Sequence, residues 1–401
     1  MGLPYMFQNW LAAALVIAAM YLVIFRSKTP FIIKLLIPFN YYFLYEYSVF
    51  ARNYCLILFF ASAIISLYPK RFEKPILFAL CVAGLFNTHM LIFSLAASIA
   101  GIFLLDAIQN KQMSARIMSA FAIMCVSGLY LIPLIVLRDT ANIFDKQAID
   151  HMREMLLTVS FGLLVNQDTD WGILLFIALV VPLFTRTKPT LLLIGGLAGL
   201  FFILGYKMVS SVRHCGLLLL VIFVCYAIAE TYKNDKWNIK TKWKDLITYG
   251  SWILAGVVLL QLQYTTEHYT DDVNRDYSDS KNTAEVIAQY DNPTIAGYPS
   301  AYACSILPYL SKNQKLYSAE TNSFRTFYVN DSFYNATLTD EYYVNAVRNR
   351  FIRQLDKVIL VCTHPIKQDV AQDLDLLYYT PSPTIFQYEM FCVYKFKKGT
   401  R

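Results

Sequence analysis

The sequence has 401 residues, of which 57% are hydrophobic and only 16% are charged. A soluble domain carries about 25% charged residues, so this composition excludes an ordinary soluble enzyme. The net charge of +7 is modest and the basic residues form no long block, which argues against a nucleic-acid partner.

Apolar runs of membrane-spanning length follow one another from Trp10 to about Tyr264, and the rest of the chain is polar enough to fold in water. A transmembrane helix needs roughly 20 apolar residues. The sequence therefore predicts an all-α polytopic membrane bundle over residues 1–264 and a small external α/β domain over residues 265–401. About ten spans are predicted, at 9–25, 30–47, 52–68, 75–87, 89–108, 117–137, 171–185, 189–206, 214–232 and 247–264.

The loops between the apolar runs differ in charge. One alternate set of loops holds fifteen Lys or Arg residues, whereas the other set holds six, namely Arg52, Arg138, Lys146, Arg153, Lys207 and Arg213. Cytoplasmic loops are the ones that are richer in Lys and Arg. The amino terminus and the polar last third are therefore predicted to lie outside, in a periplasm or lumen.

Polar and ionisable residues gather in four places on this outer side. These are the segment from Tyr45 to Tyr54, the turn Asn87-Thr88-His89, and the pairs Arg138-Asp139 and Arg213-His214. Ionisable groups at membrane depth are costly, so they are functional candidates by default.

Glu46 and Arg52 lie six positions apart, on either side of a turn that lets both side chains enter one cleft. Two interpretations stay open. The pair is a structural ion pair that closes the helix hairpin, or Arg52 binds a lipid phosphate with its guanidinium fork while Glu46 orients Arg52 or substrate hydroxyls. The nearby Tyr47 and Tyr54 suit a sugar-binding surface or an interfacial aromatic belt.

The other ionisable residues also have two interpretations each. His89, at the tip of a tight apolar hairpin, is expected as a hydrogen-bonded scaffold residue more than as a base. Arg213 and His214 open an apolar run, where they either extend to the membrane interface or bind an anion. Arg138 either pairs with Asp139 at the interface or joins the anion site.

The last third alternates between helical and extended patterns. Helices are predicted at 280–290, 301–310, 342–355 and 368–376, strands at 293–298, 315–318 and 357–362, and a closing strand or hairpin at 385–396. This alternation is typical of a small α/β domain with a largely parallel sheet. The segment contains no Gly-rich phosphate loop, metal-ligand spacing or nucleophile elbow, so we expect a recognition or lid domain.

The run Tyr45-Glu46-Tyr47-Ser48-Val49-Phe50-Ala51-Arg52-Asn53-Tyr54 and the later Arg213-His214-Cys215-Gly216-Leu217 resemble motifs of GT-C type integral-membrane glycosyltransferases. That family includes the protein mannosyltransferases and the aminoarabinose transferase of lipid A. The resemblance covers the chain from about Gly2 onward. The ten-residue motif is fairly specific, whereas the apolar spans are not.

The resemblance implies transfer of a sugar from a polyprenyl-phosphate-linked donor to an extracytoplasmic glycan, lipid or protein acceptor, with inversion of the anomeric centre. It implies a multi-pass protein among the lipids of a bacterial inner membrane, with its carboxy-terminal domain in the periplasm. No cofactor or metal is expected. Glu46 and His89 are expected in the catalytic pocket, and the phosphate side is expected to hold Arg52, Asn53, Tyr54, Tyr47, Arg138, Arg213 and His214.

One departure from the family pattern concerns the base. In the family, the catalytic Asp lies in the first external loop, whereas the first span of this chain corresponds to the family's second. The segment from Met1 to Tyr5 resembles the sequence just after that loop. We therefore expect a chain truncated at its amino terminus and incomplete as an enzyme. The alternatives are a non-catalytic protein that binds lipid-linked glycan and, weakened by the absence of an internal repeat, a lipid or glycan transporter.

Overall fold

The fold is taken from a computed structural model of the chain. The structure describes residues 5–49, 53–136, 148–165, 169–206, 212–232, 246–311, 314–326, 339–385 and 389–397. The chain divides into two compact units, Met1–His268 and Tyr269–Arg401.

The first unit is helical. Its helices are α1 (Tyr5–Tyr21), α2 (Phe31–Leu36), α3 (Tyr47–Val49), α4 (Tyr54–Leu67), α5 (Pro75–Phe86), α6 (Phe93–Gln109), α7 (Ala115–Val136), α8 (Ala148–Leu164), α9 (Thr169–Val180), α10 (Thr187–Tyr206), α11 (Val212–Ala229) and α12 (Leu246–Asn274). Among the described residues, six helical stretches are long and apolar enough to cross a membrane, or seven if the bent pair of α8 and α9 forms one span. Helix length and composition thus support a membrane protein, but not ten spans within the described ranges.

The prediction of one continuous span at 30–47 is wrong. α2 is followed by a 3-10 turn over Ile37–Phe39 and, after Asn40, by a π-helical turn over Tyr42–Glu46. Pro38 cannot continue a helix, because it lacks a backbone N–H and its ring clashes with the preceding turn. The side-chain oxygen of Asn40 accepts hydrogen bonds from the two N–H groups that open the π-helical turn, at 3.1 and 3.3 Å.

α11 lies at the centre of the first unit. Each residue from Cys215 to Ala229 is buried. α1 and α7, in contrast, expose large apolar side chains such as Trp10 and Val126, which are 72% and 68% exposed. A helix that is apolar and buried all round belongs in a core, whereas exposed apolar faces suit contact with lipid. The motif that begins at Arg213 therefore opens the most enclosed helix.

Asp106 is fully buried near the end of α6 and lies at the centre of a network of charged groups at one end of this unit. Its carboxylate accepts hydrogen bonds from Arg71 at 2.7 Å, from the Nζ of Lys188 and from the hydroxyl of Tyr232. Buried ions persist when they are paired and hydrogen-bonded, as here. This network holds together the starts of α5 and α10 and the ends of α6 and α11.

The second unit contains a six-stranded sheet in the order β3-β2-β1-β4-β6-β5. β1 is parallel to β2 and to β4, and the other three pairings are antiparallel. The strands are β1 (Thr294–Tyr298), β2 (Leu316–Ser318), β3 (Ser323–Arg325), β4 (Val358–Cys362), β5 (Leu374–Tyr379) and β6 (Cys392–Phe396), and the helices are α13 (Ser280–Ile287), α14 (Ser300–Ala303) and α15 (Asp340–Arg350).

Two predictions for this unit are wrong. The sheet is mixed and not largely parallel, because β5 and β6 form an antiparallel pair at one edge. The helix predicted at 368–376 is instead a short turn over Ala371–Asp373 that leads into β5. Along β5, Leu374 is buried and the next two residues are exposed, which suits an edge strand better than a helix that packs on a sheet.

Candidate functional site

Glu46 and Arg213 form an ion pair between the π-helical turn and the start of α11. The Nε of Arg213 lies 3.5 Å from Oε1 of Glu46, and the hydroxyl of Tyr41 donates a hydrogen bond to Oε2 at 3.2 Å. Glu46 is only 7% exposed. A carboxylate at this depth stays ionised when a cation and a donor hold it, so the geometry favours a charged Glu46 bound to Arg213.

Tyr42 and Tyr47 fix this turn against α8 and α11. The hydroxyl of Tyr42 donates to the carbonyl of Phe161, and the hydroxyl of Tyr47 donates to the carbonyl of Arg213 at 2.9 Å. Gly216 makes this close approach possible, because a Cβ there would overlap the Tyr42 ring and lie 2.6 Å from the Tyr47 hydroxyl. The glycine of the Arg-His-Cys-Gly run thus positions the arginine that opens it.

A buried polar connection supports the same turn from α12. The side-chain amide of Asn40 donates to Oε1 of Gln261, and Nε2 of Gln261 donates to the carbonyls of Gly162 at 3.2 Å and Leu163 at 2.8 Å. Neither Asn40 nor Gln261 is exposed. A fully satisfied buried network defines one arrangement, because each lost hydrogen bond leaves an expensive unpaired group.

Three rings from separate elements meet beside the ion pair. The ring centroid of Tyr54 lies 5.4 Å from that of His89 and 6.2 Å from that of His214, and the two histidine centroids are 5.9 Å apart. Tyr54 also stacks on Tyr47 at 5.1 Å. We call Tyr54, His89 and His214 the ring cluster. It joins the start of α4, the turn after α5 and the start of α11.

The turn that carries His89 is held by hydrogen bonds at both ends. Asn53 donates from its amide to the carbonyl of Thr88 at 2.6 Å. Nδ1 of His89 accepts a hydrogen bond from the N–H of Leu91 at 3.2 Å, and this bond caps the turn that leads into α6. His89 is therefore a hydrogen-bonded member of the scaffold, the reading that the sequence favoured, and it also lies in the ring cluster.

The structure thus brings together seven of the residues that the sequence nominated. Glu46 and Arg213 form the ion pair, Tyr47 bonds to the backbone of Arg213, Asn53 holds the His89 turn, and the ring cluster contains the other three. Arg52 and Arg138 lie outside the described residues. The shared location does not by itself assign a chemical role to any of these side chains.

Sequence reasoning missed two neighbours of the site, His268 and Glu154. His268, near the end of α12, stacks on Tyr45 with a centroid distance of 5.3 Å and lies 5.2 Å from Tyr41. Glu154 of α8 lies within electrostatic range of Cys215. α8 itself was not predicted, because charged residues fill its first turns and leave an apolar run too short for a span. His268 had no local signal, since it follows the apolar part of α12.

The hydroxyls of Tyr41, Tyr42 and Tyr47 donate within the protein, so the polar groups that could face a ligand here are a guanidinium and two imidazoles. Such donors suit the oxygen atoms of a phosphate or a sugar. Within the ranges that the structure describes, no three or more His, Cys, Asp or Glu residues are grouped closely enough to hold a metal ion. The chemistry that these residues can supply is therefore oxyanion binding and hydrogen bonding.

Comparisons of the chain with protein-family models, with curated proteins and with solved structures gave no match.

Proposed function

We propose that this protein binds a polyprenyl-phosphate-linked sugar and transfers the sugar to an acceptor hydroxyl at the membrane surface. The observation that carries the proposal is the position of Arg213. Glu46 holds this residue beside the ring cluster, at the start of α11, the most buried helix of the first unit. A guanidinium beside imidazole groups suits a lipid phosphate. The apolar helices provide the surroundings that a polyprenyl chain needs.

The roles follow from where charge develops in the reaction. When the acceptor oxygen forms its bond to the anomeric carbon, the bond from that carbon to the phosphate oxygen breaks, and negative charge grows on the leaving phosphate. Arg213, with His214, is proposed to stabilise that charge. The acceptor hydroxyl must give its proton to a carboxylate, and among the described residues Glu46 is the carboxylate paired with Arg213. Arg52 and Arg138 are proposed as further phosphate contacts by their positions in the sequence.

Glu46 is better suited to orienting Arg213 than to removing a proton. One of its oxygen atoms faces the guanidinium and the other accepts the hydroxyl of Tyr41. This observation favours a second candidate function, a protein that binds the lipid-linked glycan without transferring it. The two functions share the phosphate site and differ in whether sugar leaves the donor.

The first experiment measures binding and turnover with a short-chain polyprenyl phosphate and its mannosyl ester, using the full chain in detergent. Arg213→Gln should weaken binding of both lipids by about tenfold to a hundredfold, because it removes a charge-assisted hydrogen bond. The matched control is Arg275→Gln, which removes an exposed arginine paired with Asp271.

Equal affinities of the wild type and the Arg213 variant would contradict the phosphate site. If both lipids bind and polyprenyl phosphate is released from the ester in the presence of acceptor, transfer is the function. If they bind but no release occurs with any acceptor class, the non-catalytic binding protein is the function.

A further inference from the structure

The hydrogen bond that His89 accepts determines where its ring hydrogen lies. Nδ1 of His89 is 3.2 Å from the backbone nitrogen of Leu91. A backbone N–H can only donate, so Nδ1 must carry a lone pair. A neutral imidazole with an unprotonated Nδ1 has its hydrogen on Nε2. The capping bond therefore makes Nε2 a donor.

The surroundings keep this tautomer in place. The ring is half-buried, and burial disfavours the charged form of an imidazole. A proton added at Nδ1 would meet the N–H of Leu91 and break the cap. Among the described residues, the capping bond is the one hydrogen bond of this ring. Nε2 therefore remains available for a ligand.

The ring cluster places this donor near His214, the residue that follows Arg213 on α11. The rings of Tyr54 on α4 and His214 on α11 lie 5.4 and 5.9 Å from His89, and Arg213 precedes His214 on the same helix. Among the described residues, Tyr54 and His214 are the titratable groups whose rings approach that of His89. An Nε2–H that can only donate matches an oxygen that can only accept, such as that of a phosphate held by Arg213 at the start of the same helix.

We propose that His89 binds a phosphate oxygen of the lipid ligand through Nε2–H, as a neutral donor and not as a base. This inference rests on the proposed function, from which it takes its ligand. It assigns His89 to the phosphate side of the site, whereas the sequence had grouped it with the catalytic pocket. It also predicts that the contribution of His89 to binding is independent of pH from roughly pH 6 to 8, where an ordinary imidazolium would lose its charge.

Two substitutions separate the donor from the cap. In His89→Asn, the amide oxygen takes the place of Nδ1, so the cap remains while the donor at Nε2 is lost. In His89→Gln, the longer side chain places an amide N–H near Nε2 but removes the capping acceptor. The Asn variant should bind short-chain polyprenyl phosphate about tenfold more weakly at an unchanged melting temperature. The Gln variant should melt at a lower temperature and bind with an affinity close to that of the wild type.

The ligand-independent measurement is the ¹⁵N spectrum of histidine-labelled protein at neutral pH. His89 is one of five histidines, and its signals are those that disappear in the Asn variant. An unprotonated Nδ1 and a protonated Nε2 support the inference, whereas a protonated Nδ1 overturns it whatever the lipid does. If the wild type binds the lipid and the Asn variant binds equally well, the inference fails and the proposed function stands. If the wild type does not bind the lipid, both fail.

Discussion

The carboxylate of Glu46 lies 3.5 Å from the guanidinium Nε of Arg213, and this pair joins the two sequence motifs that were nominated for different roles. Glu46 was expected in the catalytic pocket and Arg213 at the phosphate. Their contact makes the arginine the group whose direction is fixed, since the carboxylate is also held by Tyr41. The orientation of the Arg213 guanidinium is thus fixed by Glu46, which is itself held by Tyr41.

Gly216 should be essential to that orientation. In Gly216→Ala, the new methyl group would overlap Tyr42 and approach the Tyr47 hydroxyl, and overpacking of this kind costs about 1–3 kcal/mol. The control is Gly256→Ala in α12, where a Cβ meets no atom within 4 Å. The control should be neutral or stabilising by up to about 1 kcal/mol, because alanine is the better helix former. The melting temperatures of the two variants are compared in one detergent. Equal shifts from the wild type would show that Tyr42 and Tyr47 move aside without loss of stability.

Asp106 should contribute strongly to stability. Asp106→Asn would leave Arg71 and Lys188 facing a neutral amide, and breaking a buried ion pair costs about 3–5 kcal/mol. The matched control is Asp271→Asn, which breaks an exposed pair with Arg275 worth about 0–1 kcal/mol. Denaturant titration of each purified variant gives the free energies of unfolding. Losses of similar size in both variants would mean that the buried network adds no more than a surface pair.

Alkaline pH should weaken the second unit through Tyr378. Burial, helped by the hydrogen bond that its hydroxyl donates to Asp279 at 3.2 Å, raises the pKa of Tyr378 to about 12. The folded state thus favours the neutral phenol, so its stabilisation is complete below the ordinary pKa of about 10 and is lost as the pH rises towards 12. As the pH rises between these two values, the free energy of unfolding of the Tyr378→Phe variant should fall less than that of the wild type.

The control for this pH effect is Tyr379→Phe, which changes the exposed neighbour of Tyr378 on the same strand. Circular dichroism during denaturation, repeated at several alkaline pH values, measures the midpoint for each protein. The Tyr379 variant should follow the wild type. If the Tyr378 variant follows it as well, ionisation of Tyr378 does not affect stability.

Local patterns in the sequence predicted several elements of this fold. The apolar run at 357–362 is the buried strand β4, and the strand predicted at 293–298 is β1. Both have β-branched or small residues between turn residues, a signal that is complete within a few positions. The gathering of Glu46, His89 and Arg213-His214 was also anticipated, because ionisable residues are conspicuous in apolar surroundings.

The contacts that build the site are not visible in the same way. Asn40 and Gln261 form a buried hydrogen bond, yet each looks like an isolated polar residue in its own segment. Pro38 signalled a break that the apolar composition around it concealed. Pairing between distant positions depends on which helices become neighbours, and hydropathy does not encode that choice.

The hydrogen bond between Asn40 and Gln261 also has a consequence for biosynthesis. Its two residues are 221 positions apart, and a ribosome adds about 5–20 residues per second. Gln261 is therefore synthesised about 10 to 45 seconds after Asn40. Arg213, the partner of Glu46, also emerges late. The segment that carries Asn40 and Glu46 therefore leaves the ribosome well before the two partners that fix its conformation. During that interval its polar groups need temporary partners, which water, lipid headgroups or an insertion factor would have to provide.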